Sequence, residues 1–190
     1  MKNSQKEIID FKIDLSFTDV SKKEFKTRAL NKTNNVFQDS EFWKNQFYSW
    51  MYKIKSNSSF HSLNQITKIK SFGIGLQFTD DISITKLNYK WLGKNKSTDV
   101  LSFPVYDKNL ILPDLNYAEL GDIVVSLETA DRQANEFSRD FIHELTWLVS
   151  HGFLHLLGWD HPDNISLEKM LAFQNYLIDN KDIVNNFDNQ

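Results

Sequence analysis

Residues 151–161 read HGFLHLLGWDH and close a longer apolar run that begins at Phe141. Phe141, Ile142, Leu145, Trp147, Leu148, Val149, Phe153, Leu154, Leu156 and Leu157 leave a helix through this stretch almost no polar side. The run is therefore expected to be a core helix. Ser138 is expected to cap it, with Asp140 and Glu144 near its positive end. Gly158 is expected to stop it, since glycine accepts the left-handed backbone of a helix C-terminus. On such a helix, positions 151 and 155 differ by about 40° of rotation and share a face one turn apart. Beyond Gly158 the chain can fold back and bring His161 beside them. Three converging imidazoles, with a fourth position left for water, are the donor set of a catalytic zinc site. Two imidazoles inside an apolar helix must find partners or cost stability. A shared metal satisfies both; the alternative is a pair of core histidines satisfied by neighbouring groups. His61, in a polar connection, is read as solvated, and His143 as pointing away from the 151/155 face.

Upstream, apolar residues alternate at Phe11, Ile13, Leu15 and Phe17, and again at Phe72, Ile74, Leu76 and Phe78, the period of half-buried strands. Phe42, Trp43, Phe47, Trp50, Met51 and Ile54 recur every three to four residues and predict an amphipathic helix from Asp39 onward. Residues 18–37 read as a loop or short helix, and 55–67 as a surface connection. Thr79-Asp80-Asp81 can cap a short helix through Ile82, Leu87 and Trp91. Val100–Val105 and Gly121–Leu127 read as strands joined by a long loop, 106–120. Helices are expected over 127–136 and roughly 164–180. No repeat or interdomain linker interrupts the chain. The reading is one α+β domain spanning 1–190: a small mixed sheet, about five helices, a three-histidine site at the end of a core helix, and frayed tails at 1–9 and 182–190.

The 190 residues are 41% hydrophobic and 14% aromatic, enough to bury a core rich in rings. A formal charge of −3 excludes a protein that grips nucleic acid by gross positive charge, though not a local basic strip. With no Cys, disulfide scaffolds, thiolate metal sites and thiol nucleophiles are excluded. No apolar run is long enough to span a membrane, and the first residues lack a signal-peptide core. A cytoplasmic protein without membrane contact is expected.

Spacing alone also fits the HxxHxxGxxH end of zinc peptidases. Those of the HExxH type need Glu after the first His as general base, and here that position is Gly152. Glu144, two turns upstream, is the substitute a peptidase reading would require; the plainer reading is an acid near a helix N-terminus. A second cluster precedes the helix. LNYKWLGKNKSTDVLSFP (87–104), with Lys86 before it, places Lys86, Lys90, Lys94 and Lys96 close to Tyr89 and Trp91. Lysines beside aromatics suit phosphate contacts with base stacking, and a solvated charged face is the plain alternative.

The two clusters in this order, with ELGDIVVS (119–126) between them and a weaker echo in MLAFQ (170–174), resemble the YbeY family of bacterial rRNA maturation factors. That resemblance implies an α+β metalloprotein that cleaves single-stranded RNA with one zinc ion per chain. It implies action in maturing ribosomal RNA, at the 3′ end of the small-subunit RNA, and in ribosome quality control, with ribosomal RNA and the ribosome or its proteins as partners. Carried over by position, the metal ligands are His151, His155 and His161. Thr98, Asp99 and Ser102 are the candidates for shaping the catalytic site, the four lysines for the RNA backbone, and Asp160 for orienting a ligand from behind. Leu92 stands where the family commonly has Arg. A ribosome-assembly factor with a structural zinc, and then a zinc peptidase, are the other functions this sequence allows.

Overall fold

Asp39 accepts the Glu41 N–H and starts helix α1, Ser40–Ser56, whose Trp43, Phe47, Trp50, Met51 and Ile54 are all buried. That stripe lies against strand β1, Lys12–Asp19, at one edge of the sheet. The computed structural model describes residues 10–22, 36–57, 66–105 and 116–179. The expected tails, His61 and most of the loops assigned to 18–37, 55–67 and 106–120 lie outside them.

Strand β2, Ser71–Thr79, pairs in parallel with β1 on one side and with β4, Ala118–Ser126, on the other. Strand β3, Val100–Pro104, runs antiparallel to β4 and forms the far edge, so the sheet order is β1-β2-β4-β3. A parallel strand sandwiched between two neighbours is covered on both faces, and β2 is buried along nearly its whole length. Helix α2, Asp81–Leu92, is capped by Asp80, as expected. Helix α3, Leu127–Glu136, follows β4 without a loop, Ser126 serving as its cap. Helices α4, Phe141–Leu156, and α5, Asn164–Asp179, complete the domain. α4 packs on β3, β4, α3 and α5, and its Phe153 ring meets those of Phe47 and Trp50 at 5.4 and 5.8 Å.

Three sequence expectations need correction. β4 begins at Ala118 rather than Gly121, and Leu127 belongs to the helix. Buried Leu120, opposite the register shift between Gly73 and Ile74, carries the strand past Gly121, so the connection from β3 is shorter than 106–120. Asp140, not Ser138, caps α4: its Oδ1 accepts the N–H groups of Ile142 and His143 at 2.8 and 3.2 Å. Ser138 instead takes φ 52° in the turn leaving α3. A charged acceptor two residues nearer the apolar run competes better for the free N–H groups. Residues 66–68 form a short turn with Ile66 buried rather than a wholly surface connection.

Candidate metal centre

The end of α4 builds the site. Gly158 N–H donates to His155 O at 2.9 Å and Trp159 N–H to Leu154 O at 3.1 Å, the paired bonds of a Schellman cap. Gly158 takes φ 81°, which a side chain would resist. The cap turns the chain back on itself and delivers two things. It lays the Trp159 carbonyl against His155, and it returns His161 to the face of the helix it has just left.

The nitrogens of His151, His155 and His161 lie within 4.8 Å of one another. The hydrogen bonds fix two of the tautomers. Gln174, fully buried on α5, donates its Nε2 to Trp147 O at 2.7 Å and to Ser150 Oγ at 3.2 Å, so its Oε1 faces His151 Nδ1 at 3.2 Å as an acceptor. His155 Nδ1 faces the Trp159 carbonyl, which can only accept, at 2.9 Å. Both Nδ1 atoms therefore carry the proton, and both Nε2 atoms present lone pairs. Those two lone pairs face each other at 3.2 Å. Two acceptors at that distance need a shared cation or proton between them. The donor set fits a metal ion, as second-sphere acceptors on each Nδ1 do.

Burial, the largest cause, lowers the pKa of both imidazoles below the ordinary value of 6.5. At His151 the neighbouring His155 adds to the effect and the Gln174 acceptor opposes it; at His155 the Trp159 carbonyl opposes it. As pH falls the unfolded chain takes up protons before the folded one. The stability is thus whole above the ordinary value and drains away below it. Thermal unfolding of metal-free protein should move to lower temperature between about pH 7 and about pH 5. A flat profile across that window would mean that neither imidazole is buried in its neutral form.

His151 and His155 open onto a groove of about 710 Å³ whose walls include Leu92, Asp99, Val100, Ser102, Trp147, Trp159 and Asp160. The structure therefore brings Asp99, Ser102 and Asp160 to the histidines. Asp99 is held by three donors: Thr98 Oγ1 at 3.1 Å, Val100 N–H at 2.8 Å and Gln133 Nε2 at 3.0 Å. Thr98 itself does not line the groove. Asp160 orients His161 through the backbone, its Oδ1 accepting the His161 N–H at 2.8 Å, rather than through an imidazole ring. The four lysines are exposed on α2 and on the loop after it, outside the groove walls. That loop is pinned by Asn88, buried on α2, whose Nδ2 donates to Lys96 O at 2.8 Å. His143 is exposed, as expected. Glu144 is buried two turns upstream, its carboxylate engaged by Arg139 Nη1 at 3.1 Å.

Sequence reasoning missed Gln174 and Asn88. The signal for Gln174 was present: it shares a helical face with Met170, Phe173 and Leu177, and a polar residue on an apolar face needs a partner. Gln174→Leu should keep the fold while lowering metal affinity about 10–100-fold. Isothermal titration with zinc checks this. Unchanged affinity would reduce Gln174 to a packing residue.

Fold and site define a class: an α+β protein able to hold one metal ion on three histidines at an open groove. The family model described as Endoribonuclease YbeY matches residues 31–181. An Endoribonuclease YbeY of Prochlorococcus marinus is 44% identical over 170 residues, covering 90% of this chain and 87% of the relative. Another, of Prochlorococcus marinus subsp. pastoris, is 42% identical over 178 residues, covering 94% and 99%. The solution structure of a Thermotoga maritima protein is a distant neighbour at 20% identity and a TM-score of 0.44, covering 86% of this chain and 89% of its own. The chain belongs to the endoribonuclease YbeY family. Membership places it among metal-dependent hydrolases of RNA. No helix among the described residues is long and apolar enough to cross a membrane.

Proposed function

We propose that residues 1–190 form one zinc-dependent endoribonuclease domain that cuts single-stranded RNA. Its place is the cytoplasm, in maturation of ribosomal RNA at the 3′ end of the small-subunit RNA and in ribosome quality control, with the ribosome or its proteins as partners. The observation that carries the metal part is the pair of opposed Nε2 lone pairs, 3.2 Å apart, with the third histidine beside them and a groove in front. Family membership supports the reaction.

His151, His155 and His161 are the ligands in this reading. When bound, the zinc supplies Lewis acidity to a phosphodiester oxygen at neutral pH. Gln174 and the Trp159 carbonyl keep both Nδ1 protons in place, so the ligating nitrogens stay neutral and aimed. Asp99, braced by Thr98 and Gln133, sets a fixed negative charge at the groove wall beside His151. Ser102, at the groove wall on the edge strand, can donate its hydroxyl to a phosphate oxygen. Lys86, Lys90, Lys94 and Lys96 hold the RNA backbone outside the groove, where solvent lets them follow a flexible strand. Leu92 lines the groove without charge, so the lysines supply the positive field there.

The test is cleavage of a single-stranded RNA by the purified protein with zinc, with chelator, and with zinc restored. Lys94→Ala together with Lys96→Ala should weaken RNA binding and lower the salt slope by about 1.4, about 0.7 for each lost contact, with metal content unchanged. A wild-type protein that binds zinc yet cuts no RNA would favour an assembly factor with structural zinc.

A further inference from the structure

The edge strand β3 has a groove on each side. Alternate residues of a strand face opposite ways. Val100 and Ser102 look toward α4 and the histidines, while Leu101 and Phe103 pack with Leu87 and Val124 under α2. This second groove, of about 760 Å³, has walls from Leu87, Trp91, Leu92, Phe103 and Val105 and a floor containing Gln77 and Asp122. It shares Leu92, Leu101, Ser102 and Pro104 with the histidine groove, so a strand leaving one over the β3 edge enters the other.

Its chemistry is that of a flat, polar-edged ring. Trp91 is 60% exposed, an unusual placement for the largest side chain, and its ring leans on Phe103 at 5.6 Å. Lys90 Nζ stands 5.3 Å from the same ring, within reach of the phosphate that a stacked nucleotide carries. On the floor, the Asp122 side chain lies across Gly75, where a Cβ would fall within 1.9 Å of its Oδ1. Among the described residues no hydrogen bond or ion pair engages this carboxylate. Gln77 stands on the same face, two pairs along the β2–β4 register.

We propose that this groove is a nucleobase subsite for the RNA strand flanking the cleavage point, with guanine as its preferred base; the inference rests on the RNA reading above. The base stacks on Trp91 and turns its edge to the floor. An ionised carboxylate only accepts, through two oxygens side by side. The Watson–Crick edge of guanine offers two adjacent donors, N1–H and the N2 amino group, and the Gln77 amide can donate to O6. Adenine and cytosine set a ring acceptor against the second carboxylate oxygen. Uracil flanks its one N–H with two carbonyls. The floor therefore discriminates where stacking does not.

Equilibrium binding of the full-length protein to 2′-O-methyl heptamers tests this: heptauridine against the same strand with one central guanosine. Wild type should bind the guanosine strand about tenfold better. Trp91→Ala should lose about tenfold on both strands, Trp91→Phe should retain most of the affinity, and the salt slope should stay the same in both, because no phosphate contact is removed. Asp122→Asn should erase the guanosine preference without weakening heptauridine binding, since the amide no longer repels uracil's carbonyls. Wild-type affinity in Trp91→Ala, or equal affinity of wild type for the two strands, overturns the subsite and leaves the RNA reading intact. Failure of wild type to bind either strand overturns both.

Discussion

His155→Ala is expected to abolish tight zinc binding and to lower RNA cleavage by about 10³-fold or more, since Lewis-acid stabilisation of the transition state is worth several kcal/mol. His155 is the ligand to remove because the Schellman cap places its acceptor, the Trp159 carbonyl, independently of the ring. Its loss should leave α4 and the cap folded. The stability readout separates metal ligation from packing. Bound metal favours the folded state by mass action, about 2.7 kcal/mol at a hundred times Kd. Wild type should therefore melt well above the variant in excess zinc, and the gap should largely close in excess chelator. A gap of the same size in chelator would make the histidines core residues. Retained cleavage would remove the metal from the reaction.

Gly152→Glu, which writes the zinc-peptidase motif into this chain, is expected to unfold the protein rather than confer peptidase activity. The helix lies so close to the sheet that a Cβ at 152 would stand 2.8 Å from Ile123 Cγ2 and 3.0 Å from Ser102 Oγ. For Gly152→Ala the helix gains about 1 kcal/mol of propensity, against about 1–3 kcal/mol for overpacking, so a net loss of up to about 2 kcal/mol is expected. Glutamate adds a carboxylate beside the buried Ile123 with no cation to meet it, and that costs several kcal/mol more. Denaturant unfolding of the two variants measures both steps. A stable Gly152→Glu protein that hydrolyses a peptide would show that the helix can roll to present position 152 to the groove.

The structure explains why a motif with peptidase spacing carries glycine. Position 152 is turned 100° from position 151 on the helix, toward β3 and β4. The histidines face the groove and the glycine faces the sheet. The other candidate acid, Glu144, is occupied by Arg139 near the start of α4. Both facts follow from how α4 is laid on the sheet, and neither is visible in the spacing of the histidines.

Much of the site was legible because local rules built it. A 3.6-residue period puts His151 above His155, and a glycine after the last turn admits the reversal that returns His161. The candidate roles of Thr98 and Asp160 were less legible. Both lie next in sequence to groove residues, but which way each side chain turns depends on hydrogen bonds to Asp99 and to the His161 backbone. Proximity along the chain placed Asp160 beside His161 and Thr98 beside Asp99; it did not set their partners.

The sequence by itself determined the elements whose signals are periodic: the alternating strands β1 and β2, the apolar stripe of α1, the core helix α4 and the three-histidine set at its end. Such signals depend on neighbours two to four residues apart, and a linear reading captures them. Only the tertiary structure decided that Gln174, from a helix later in the chain, holds the His151 proton in place. It also decided that Ser102, on the edge strand, and Asp99, just before it, line the groove with the histidines, and that a second groove with Trp91 and Asp122 opens on the other side of that strand. These contacts join residues that are 23 or more positions apart, as His151 and Gln174 are. Their partners are chosen by how helices and strands pack, and packing is a property of the assembled core rather than of any segment of the chain.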